Sequence, residues 1–167
     1  MDGVGKQIAF CNGIILEIGV GPGGGYMPYV LKENPEATVI ISDLSPTVVR
    51  EWKSFLDKSL DSPNIYYSAF DFCNMPFEDN SIDIISDGRS IGNCEGIKAK
   101  APKEAFRVLK PGGKLITSTG FVSEKNDCGS KGGTVCFDTF FCNDEKEDFF
   151  YMQSGREGLS SCFFLLG

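Results

Sequence analysis

The chain contains no histidine, no run of basic residues and no Cys-x-x-Cys pair. Without an imidazole, every mechanism that needs a histidine base is excluded, including hydrolysis by Ser-His-Asp or Cys-His arrangements. Without the common zinc spacings, no metal site is expected. The chain also lacks a stretch of about 18 apolar residues, and its first residues lack the apolar segment of a secretory signal. We therefore expect a cytoplasmic protein without a membrane partner.

The charge balance argues against nucleic-acid binding. The chain has 23 acidic and 16 basic residues, a net charge of −7, and this surplus repels a phosphate backbone. Its length of 167 residues suits a single domain, residues 1–167. The seven cysteines are odd in number, so we expect reduced thiols rather than a disulfide framework.

Short apolar segments alternate with segments of helical pattern over much of the chain. Strands are predicted at residues 14–17, 38–43, 64–68, 82–86 and 114–118, and helices at 26–33, 45–56 and 103–109. This alternation predicts an α/β fold with a doubly wound, mostly parallel sheet, whose core covers residues 14–120. Residues 121–167 have a weaker pattern, in which 135–142 fits a strand or a short aromatic helix. The shortness of this segment suggests a sheet that is abbreviated at its C-terminal edge.

Local signals mark where two helices begin or end. Ser45 followed by Pro46 is typical of a helix N-cap and the first helical residue. The Lys-Pro-Gly-Gly sequence at 110–113 predicts a turn that separates the third helix from the fifth strand. Trp52 belongs to an apolar stripe of the helix at 45–56, which we interpret as core packing, with the lining of a ligand pocket by Trp52 as the alternative.

The segment after the first strand is a glycine cluster that matches two cofactor templates. Gly19, Gly21 and Gly24 satisfy G-x-G-x-x-G, the dinucleotide pattern. Together with Glu17 and Gly23, the first two also satisfy E-x-G-x-G-x-G. Glycines let the backbone approach a bulky ligand, and open α/β sheets hold nucleotide-like cofactors at this position. The glycines alone do not decide between the templates.

Two acidic residues carry more information. Asp43 ends the second strand, where a carboxylate can accept hydrogen bonds from both ribose hydroxyls, although a helix-capping role is the alternative. Glu17 would oppose the phosphates of a dinucleotide but would favour a ligand with an ammonium group. S-adenosylmethionine carries an ammonium and a sulfonium and has no phosphate. The alternative for Glu17 is a buried structural role.

Asp71 and Phe72 follow the third strand. The Asp71 carboxylate can accept a hydrogen bond from the exocyclic amine of adenine, and the next backbone N–H can donate to a ring nitrogen. An aspartate in a turn is equally suited to local backbone bonding. Met75 and Phe77 could form a wall beside an adenine, or could pack in the core.

With these features the chain resembles class I S-adenosylmethionine-dependent methyltransferases, of the type 11 subgroup that includes quinone-biosynthesis enzymes. The resemblance rests on residues 15–23, 42–45, 71–83 and 104–113, which occur in the family's order and spacing. It implies a Rossmann-like methyltransferase fold and S-adenosylmethionine as the cofactor. It also implies methyl transfer to a small-molecule acceptor by in-line displacement.

The resemblance assigns candidate cofactor-binding residues. They are Glu17, Gly19, Gly21, Gly23, Asp43, Leu44, Asp71, Phe72 and Ser86. The glutamate and the three glycines are implied to hold the methionine end, which Ser86 also faces. Asp43 is implied to hold the ribose, and Asp71 with Phe72 the adenine. Arg107 and the turn at 110–113 match a family signature that we interpret as structural.

No catalytic residue is assigned, because a base is needed only if the acceptor must lose a proton. The candidates for such a base are Asp87 and the acidic cluster at 144–148, although an aspartate before Gly88 also fits an ordinary turn.

Three functions stay open. The termini are shorter than those usual in the family, so the alternative to a methyltransferase is a truncated or regulatory domain that binds S-adenosylmethionine without transferring the methyl group. The third candidate function is that of a nicotinamide-dependent oxidoreductase. An abbreviated sheet edge would expose strand backbone, which suggests a homodimer.

Overall fold

A computed structural model describes residues 2–60, 64–88, 90–93, 100–121, 135–142 and 150–154. In chain order the elements are α1 (Asp2–Ala9), β1 (Ile14–Ile18), α2 (Met27–Glu33), β2 (Thr38–Asp43), α3 (Pro46–Ser59), β3 (Ile65–Ala69), β4 (Ile82–Asp87), α4 (Ser90–Asn93), α5 (Lys100–Val108), β5 (Leu109–Phe121), β6 (Val135–Cys142) and β7 (Phe150–Ser154). Every strand and helix predicted within residues 14–120 is present, with shifted boundaries.

The seven strands form one sheet in the order β3-β2-β1-β4-β5-β6-β7. Strands β1 to β5 pair in parallel, whereas β6 is antiparallel to β5 and β7 is antiparallel to β6. The predicted doubly wound α/β fold is confirmed. The strand order reverses at β1, which lies between β2 and β4. In open α/β sheets such a reversal leaves a crevice at the carboxyl ends of the strands.

Helices cover both faces of the parallel part of the sheet. One apolar cluster joins residues of α1, α2 and α3 to Ile15 and Val39, and a second joins α5 to Leu16 and Ile85. Successive residues of β1 therefore point to opposite faces, as expected for a strand buried on both sides. The same alternation places Glu17 on the face that carries α2. No helix within the described ranges has the length and apolar character needed to cross a membrane.

The predicted start of α3 is confirmed. Ser45 Oγ accepts a hydrogen bond from Val48 N at 3.5 Å, and Pro46 opens the helix. The helix continues to Ser59, beyond the predicted end at residue 56.

The fifth strand begins earlier than predicted. β5 pairs with β4 through Leu109 before an irregular stretch and through Lys114 after it. Residues 110–113 form this stretch, so their proline and glycines mark a bulge within a strand. The prediction of a turn ahead of a separate strand was wrong, because pairing with β4 begins before the bulge and resumes after it.

The helix α1 was not predicted. Its Ile8 and Ala9 are fully buried, and it packs against α2. A Cβ placed on Gly5 would lie 2.9 Å from Tyr29 Cβ, so the two helices approach closely at this glycine. Eight residues are too few for a clear helical period in the sequence.

Two strands follow β5 where the sequence pattern was ambiguous. Residues 135–142 form β6 rather than a helix, and β7 adds a further strand. The sheet therefore does not stop at β5. Because β6 is antiparallel to β5 and β7 is antiparallel to β6, β7 runs in the direction of β5.

Candidate functional site

The glycine loop, residues 19–25, follows β1 at the point where the strand order reverses. Gly19, Gly21, Gly24 and Gly25 have φ values of +57°, +51°, +79° and +53°, a region that other residues rarely adopt. Gly23 has no positive φ, and a Cβ placed on it would meet nothing within 4 Å. The shape of the loop thus depends on four of these glycines and does not require one at position 23.

The carboxyl group of Glu17 is fully buried beneath this loop. Its Oε2 accepts a hydrogen bond from Ser86 Oγ, on the neighbouring strand β4. Its Oε1 has no hydrogen-bond partner among the described residues. A Cβ on Gly25 would lie 1.7 Å from Oε1, and a Cβ on Gly88 would lie 2.7 Å from Gly25 Cα. Two glycine backbones therefore cover the carboxyl group, where no side chain would fit.

This environment favours a neutral carboxyl group. Burial raises the pKa of Glu17 well above its ordinary value of 4.5, against the opposing effect of the Ser86 hydrogen bond, and the charge of Asp87 adds to the rise. Nearby backbone N–H groups of Tyr26 and Gly88 lower the pKa by less than burial raises it. Glu17 therefore keeps its proton to a higher pH than an ordinary glutamate does.

Asp43, at the end of β2, joins the glycine loop to α3. Its Oδ2 accepts a hydrogen bond from Gly21 N at 2.9 Å, and its Oδ1 accepts one from Ser45 N at 2.9 Å. The contact at the start of α3 is the alternative role considered for this residue. Each carboxylate oxygen can accept a second hydrogen bond, so these contacts leave capacity for ligand hydroxyls.

Trp52 of α3 contacts the glycine loop from its outer side. The indole Nε1 donates a hydrogen bond to Gly21 O at 2.6 Å. A Cβ on Gly24 would lie 2.7 Å from the Cη2 atom of the same indole. The interpretation of Trp52 as core packing alone was incomplete, because spacing within α3 gives no sign of a contact made 31 positions earlier in the chain.

An open groove of about 510 Å³ adjoins the indole. It is lined by Pro22, Thr47, Val48, Glu51, Trp52 and Phe55. The rings of Trp52 and Phe55 meet edge to face, with centroids 5.7 Å apart.

The segment after β3 lies beside Asp43, because Phe70 N donates a hydrogen bond to Asp43 O at 3.1 Å. Asp71 is exposed, and its Oδ1 accepts a hydrogen bond from Cys73 N at 2.8 Å. This is the local turn contact that was the alternative to adenine binding. Leu44 follows Asp43 and is 69% exposed, so its side chain is open to a ligand at the rim of the site.

Arg107 of α5 forms hydrogen bonds with the residues that continue the segment after β3. Its guanidinium donates to the carbonyl oxygens of Met75 and Phe77 at 2.9 Å each, and to the carboxylates of Glu104 and Asp79. The hydrogen bond from Arg107 lowers the pKa of Glu104 below its ordinary value of 4.5. These contacts agree with the structural interpretation of Arg107.

Phe72 and Met75 are buried in the apolar cluster on the α5 face. Phe77 packs against this cluster, and its ring meets that of Phe70 edge to face at 5.4 Å between centroids. Core packing is therefore the better description of Met75 and Phe77.

Asp87, a candidate base, is buried and already engaged. Its Oδ1 accepts a hydrogen bond from Ser90 N at 2.6 Å, and its Oδ2 accepts one from Thr117 Oγ1 at 2.7 Å. These contacts begin α4 and join β4 to β5, so the carboxyl group does not face an open acceptor site. Ser90, which the sequence did not single out, also lies against Gly19, where a Cβ would fall 2.3 Å from Ser90 Cβ. The other candidate base, the cluster at 144–148, lies outside the described residues.

Two cysteines can be placed. The side chains of Cys11 and Cys73 are half-buried, and burial raises the pKa of Cys11 above its ordinary value of 9.0. The other five cysteines lie outside the described side chains. In the part of the chain that the structure describes, no cluster of three or more metal-ligating side chains is found.

Most of the predicted site residues meet at one edge of the sheet. Glu17, Ser86, Gly21 and Asp43 lie at the carboxyl ends of β1, β4 and β2, and Asp71 follows the adjacent β3. A glycine loop with an acid at the end of the first strand and another at the end of the second defines the class: an open α/β domain for an adenosine-containing cofactor.

Comparison with known proteins identifies the family. Residues 16–117 match the methyltransferase domain family, and the chain belongs to this family. The chain is 33% identical over 117 residues to the ubiquinone/menaquinone biosynthesis C-methyltransferase UbiE of Rickettsia bellii (strain OSU 85-389). That match covers 66% of this chain and 46% of the relative.

Solved structures share the fold. The YcgJ protein from Bacillus subtilis has a TM-score of 0.62 at 25% identity, covering 74% of this chain and 52% of that one. A Methanococcus maripaludis protein described as an S-adenosyl-L-methionine-dependent methyltransferase has a TM-score of 0.60 at 28% identity, covering 72% of this chain and 53% of that one. The chain thus spans about half the length of the relatives it matches.

Proposed function

We propose that this domain binds S-adenosylmethionine and transfers a methyl group to a small-molecule acceptor. The observation that carries the proposal is the buried carboxyl group of Glu17 directly beneath the glycine loop. A dinucleotide would bring two phosphates to this loop, which would gain no charge attraction from a neutral carboxyl group and would be repelled by its ionised form. An approaching ammonium group would instead lower the pKa of Glu17 and be attracted by the resulting carboxylate.

The described residues fit the methionine end of this cofactor. Glu17 Oε1 is buried without a partner and faces Gly25 and Gly88, two positions without side chains. Ser86 Oγ occupies Oε2 and so leaves Oε1 as the free acceptor. On this proposal, Gly19 and Gly21 bring their backbone close to the ligand, while Gly23 adds no side chain to the exposed side of the loop.

The adenosine end has its own set of residues. Asp43 retains acceptor capacity for ribose hydroxyls, and its position is fixed by two backbone N–H groups. We assign Asp71 and the backbone of Phe72 to the adenine, with the exposed Leu44 side chain beside it.

When bound, S-adenosylmethionine supplies a methyl group activated by its sulfonium. The chain's own contribution is to align donor and acceptor and to exclude water, which requires no covalent nucleophile. The Asp87 carboxylate already accepts hydrogen bonds from Ser90 and Thr117. No other candidate base among the described residues lies at the carboxyl end of β4.

The acceptor is proposed to be a small neutral or cationic molecule, and the domain to act in the cytoplasm. The Rickettsia bellii relative is named for ubiquinone and menaquinone biosynthesis, so aromatic quinone precursors are the first acceptor class to test. The second candidate function is cofactor binding without methyl transfer, since the carboxylate of Asp87, the described candidate for a base, already accepts hydrogen bonds from Ser90 and Thr117. A transfer assay with radiolabelled S-adenosylmethionine and a quinone precursor distinguishes the two, because only the first yields a labelled product.

Titration calorimetry with S-adenosylhomocysteine and with NAD tests the cofactor. We expect the first ligand to bind and the second not to bind. Asp43→Ala should abolish most of the affinity, whereas Asp57→Ala, at an exposed position of α3, should leave it unchanged. Binding of NAD without S-adenosylhomocysteine would refute the proposal.

A further inference from the structure

Trp52 and Asp43 each form a hydrogen bond with the backbone of Gly21 in the glycine loop. The N–H of Gly21 donates to Asp43 Oδ2 at 2.9 Å, and the carbonyl oxygen of Gly21 accepts from Trp52 Nε1 at 2.6 Å. Both polar backbone groups of this residue are therefore fixed by side chains. Gly21 has a φ of +51°, a conformation that glycine adopts without strain, so the two hydrogen bonds select it from the several conformations open to a glycine.

The two side chains that hold Gly21 are themselves connected. Asp43 Oδ1 accepts a hydrogen bond from Ser45 N, and Ser45 caps α3, the helix that carries Trp52. Gly21, Asp43, Ser45 and Trp52 thus form a closed circuit of contacts. A shift of the loop away from α3 has to break at least one of its hydrogen bonds.

The indole also packs against the loop. A Cβ on Gly24 would lie 2.7 Å and 2.9 Å from two carbons of the Trp52 ring, so the ring lies against this glycine without a gap. Gly24 N in turn donates to Val20 O at 3.1 Å, which closes the loop on itself. Trp52 therefore contacts the loop at two points, one polar and one apolar.

We propose that Trp52 is a positioning residue. Together with Asp43 it fixes the backbone of Gly21 and so sets the orientation of the glycine loop towards the cofactor. This role rests on the proposed function, in which the loop binds S-adenosylmethionine. Trp52 contacts the outer side of the loop and acts through Gly21 and Gly24.

Two replacements separate the hydrogen bond from the packing. Trp52→Phe keeps an aromatic ring and removes the N–H donor. Because the chain has a single tryptophan, biosynthetic incorporation of benzothienylalanine replaces only this N–H, by sulfur, in a ring of the same shape. Phe55→Leu is the matched control, since Phe55 touches the indole from the same helix and is 58% exposed.

Amide hydrogen exchange in the ligand-free protein gives the first readout. Gly21 and Gly24 both have hydrogen-bonded N–H groups. We expect their exchange to rise about tenfold in both Trp52 replacements, the effect of losing roughly one hydrogen bond, and to stay unchanged in Phe55→Leu. Exchange within β1 and β4 should stay at wild-type rates, which excludes general destabilisation.

The second readout is the Kd of S-adenosylhomocysteine, which should rise by about tenfold in the two Trp52 replacements and less than about twofold in Phe55→Leu. Unchanged exchange at Gly21 and Gly24 in both replacements would overturn the assignment, as would equal effects in Phe55→Leu. If the wild type binds no S-adenosylhomocysteine, the proposed function fails, and the exchange of these two amides alone decides the role of Trp52.

Discussion

Glutamine in place of Glu17 is expected to remove most of the decline in stability that the wild type shows as the pH rises above 4.5. Burial raises the pKa of Glu17 well above its ordinary value of 4.5, so the folded protein keeps this proton after the unfolded chain has lost it. Unfolding then releases a proton. The stability associated with neutral Glu17 is therefore full below pH 4.5 and declines as the pH rises towards the folded-state pKa.

The magnitude follows from one proton released on unfolding. It corresponds to a fall of about 1.4 kcal/mol in the free energy of unfolding for each pH unit between the ordinary value of 4.5 and the folded-state pKa. Among the described residues few other groups contribute there, because the chain has no histidine. Glu104, with its lowered pKa, acts below pH 4.5, and Cys11, with its raised pKa, acts above pH 9.0.

Urea unfolding of the ligand-free protein at several pH values measures this slope. Glu17→Gln should be nearly flat and should gain stability relative to the wild type as the pH rises. Glu36→Gln, at an exposed position, should retain the wild-type slope. Equal slopes for the wild type and Glu17→Gln would show that Glu17 is already ionised when folded, and would refute the reasoning.

Two further predictions concern stability and are measured by urea unfolding. Gly25→Ala should destabilise by more than about 2 kcal/mol, because φ is +53° and the new Cβ would overlap Glu17 Oε1. Gly23→Ala should cost less than about 0.5 kcal/mol, since its Cβ meets nothing within 4 Å, and comparable losses in the two would contradict the loop geometry. Arg107→Met should cost about 2–3 kcal/mol through its lost charged hydrogen bonds. Lys53→Met, in an exposed pair with Asp57, should cost less than about 0.5 kcal/mol, so a small loss in Arg107→Met would argue against the anchoring role.

Local signals in the sequence predicted the frame of this fold well. The apolar run before the glycines gives β1, and Ser45 with Pro46 gives the start of α3, because both depend on neighbouring residues only. The bulge at residues 110–113 could not be predicted in the same way. Its proline and glycines are local turn signals, and pairing with β4 on both sides overrides them.

The site was predicted in its location and less well in its contacts. Strand ends and glycines locate the crevice, since parallel strands bring their carboxyl ends to one edge. The positions with positive φ do not follow the E-x-G-x-G-x-G template. Gly25 lies outside this template and has positive φ, whereas Gly23 lies inside it and does not. The contact of Trp52 with Gly21 depends on how α3 packs, and no spacing within the chain encodes it.

Native mass spectrometry tests directly whether the crevice selects S-adenosylmethionine over a dinucleotide. The purified chain is incubated with equal concentrations of S-adenosylhomocysteine and NAD, and the mass of the bound species is read without an acceptor or a transfer assay. We expect a single adduct with the mass of S-adenosylhomocysteine, which Asp43→Ala loses. An adduct with the mass of NAD, or an unliganded chain at saturating concentrations of both, would contradict it.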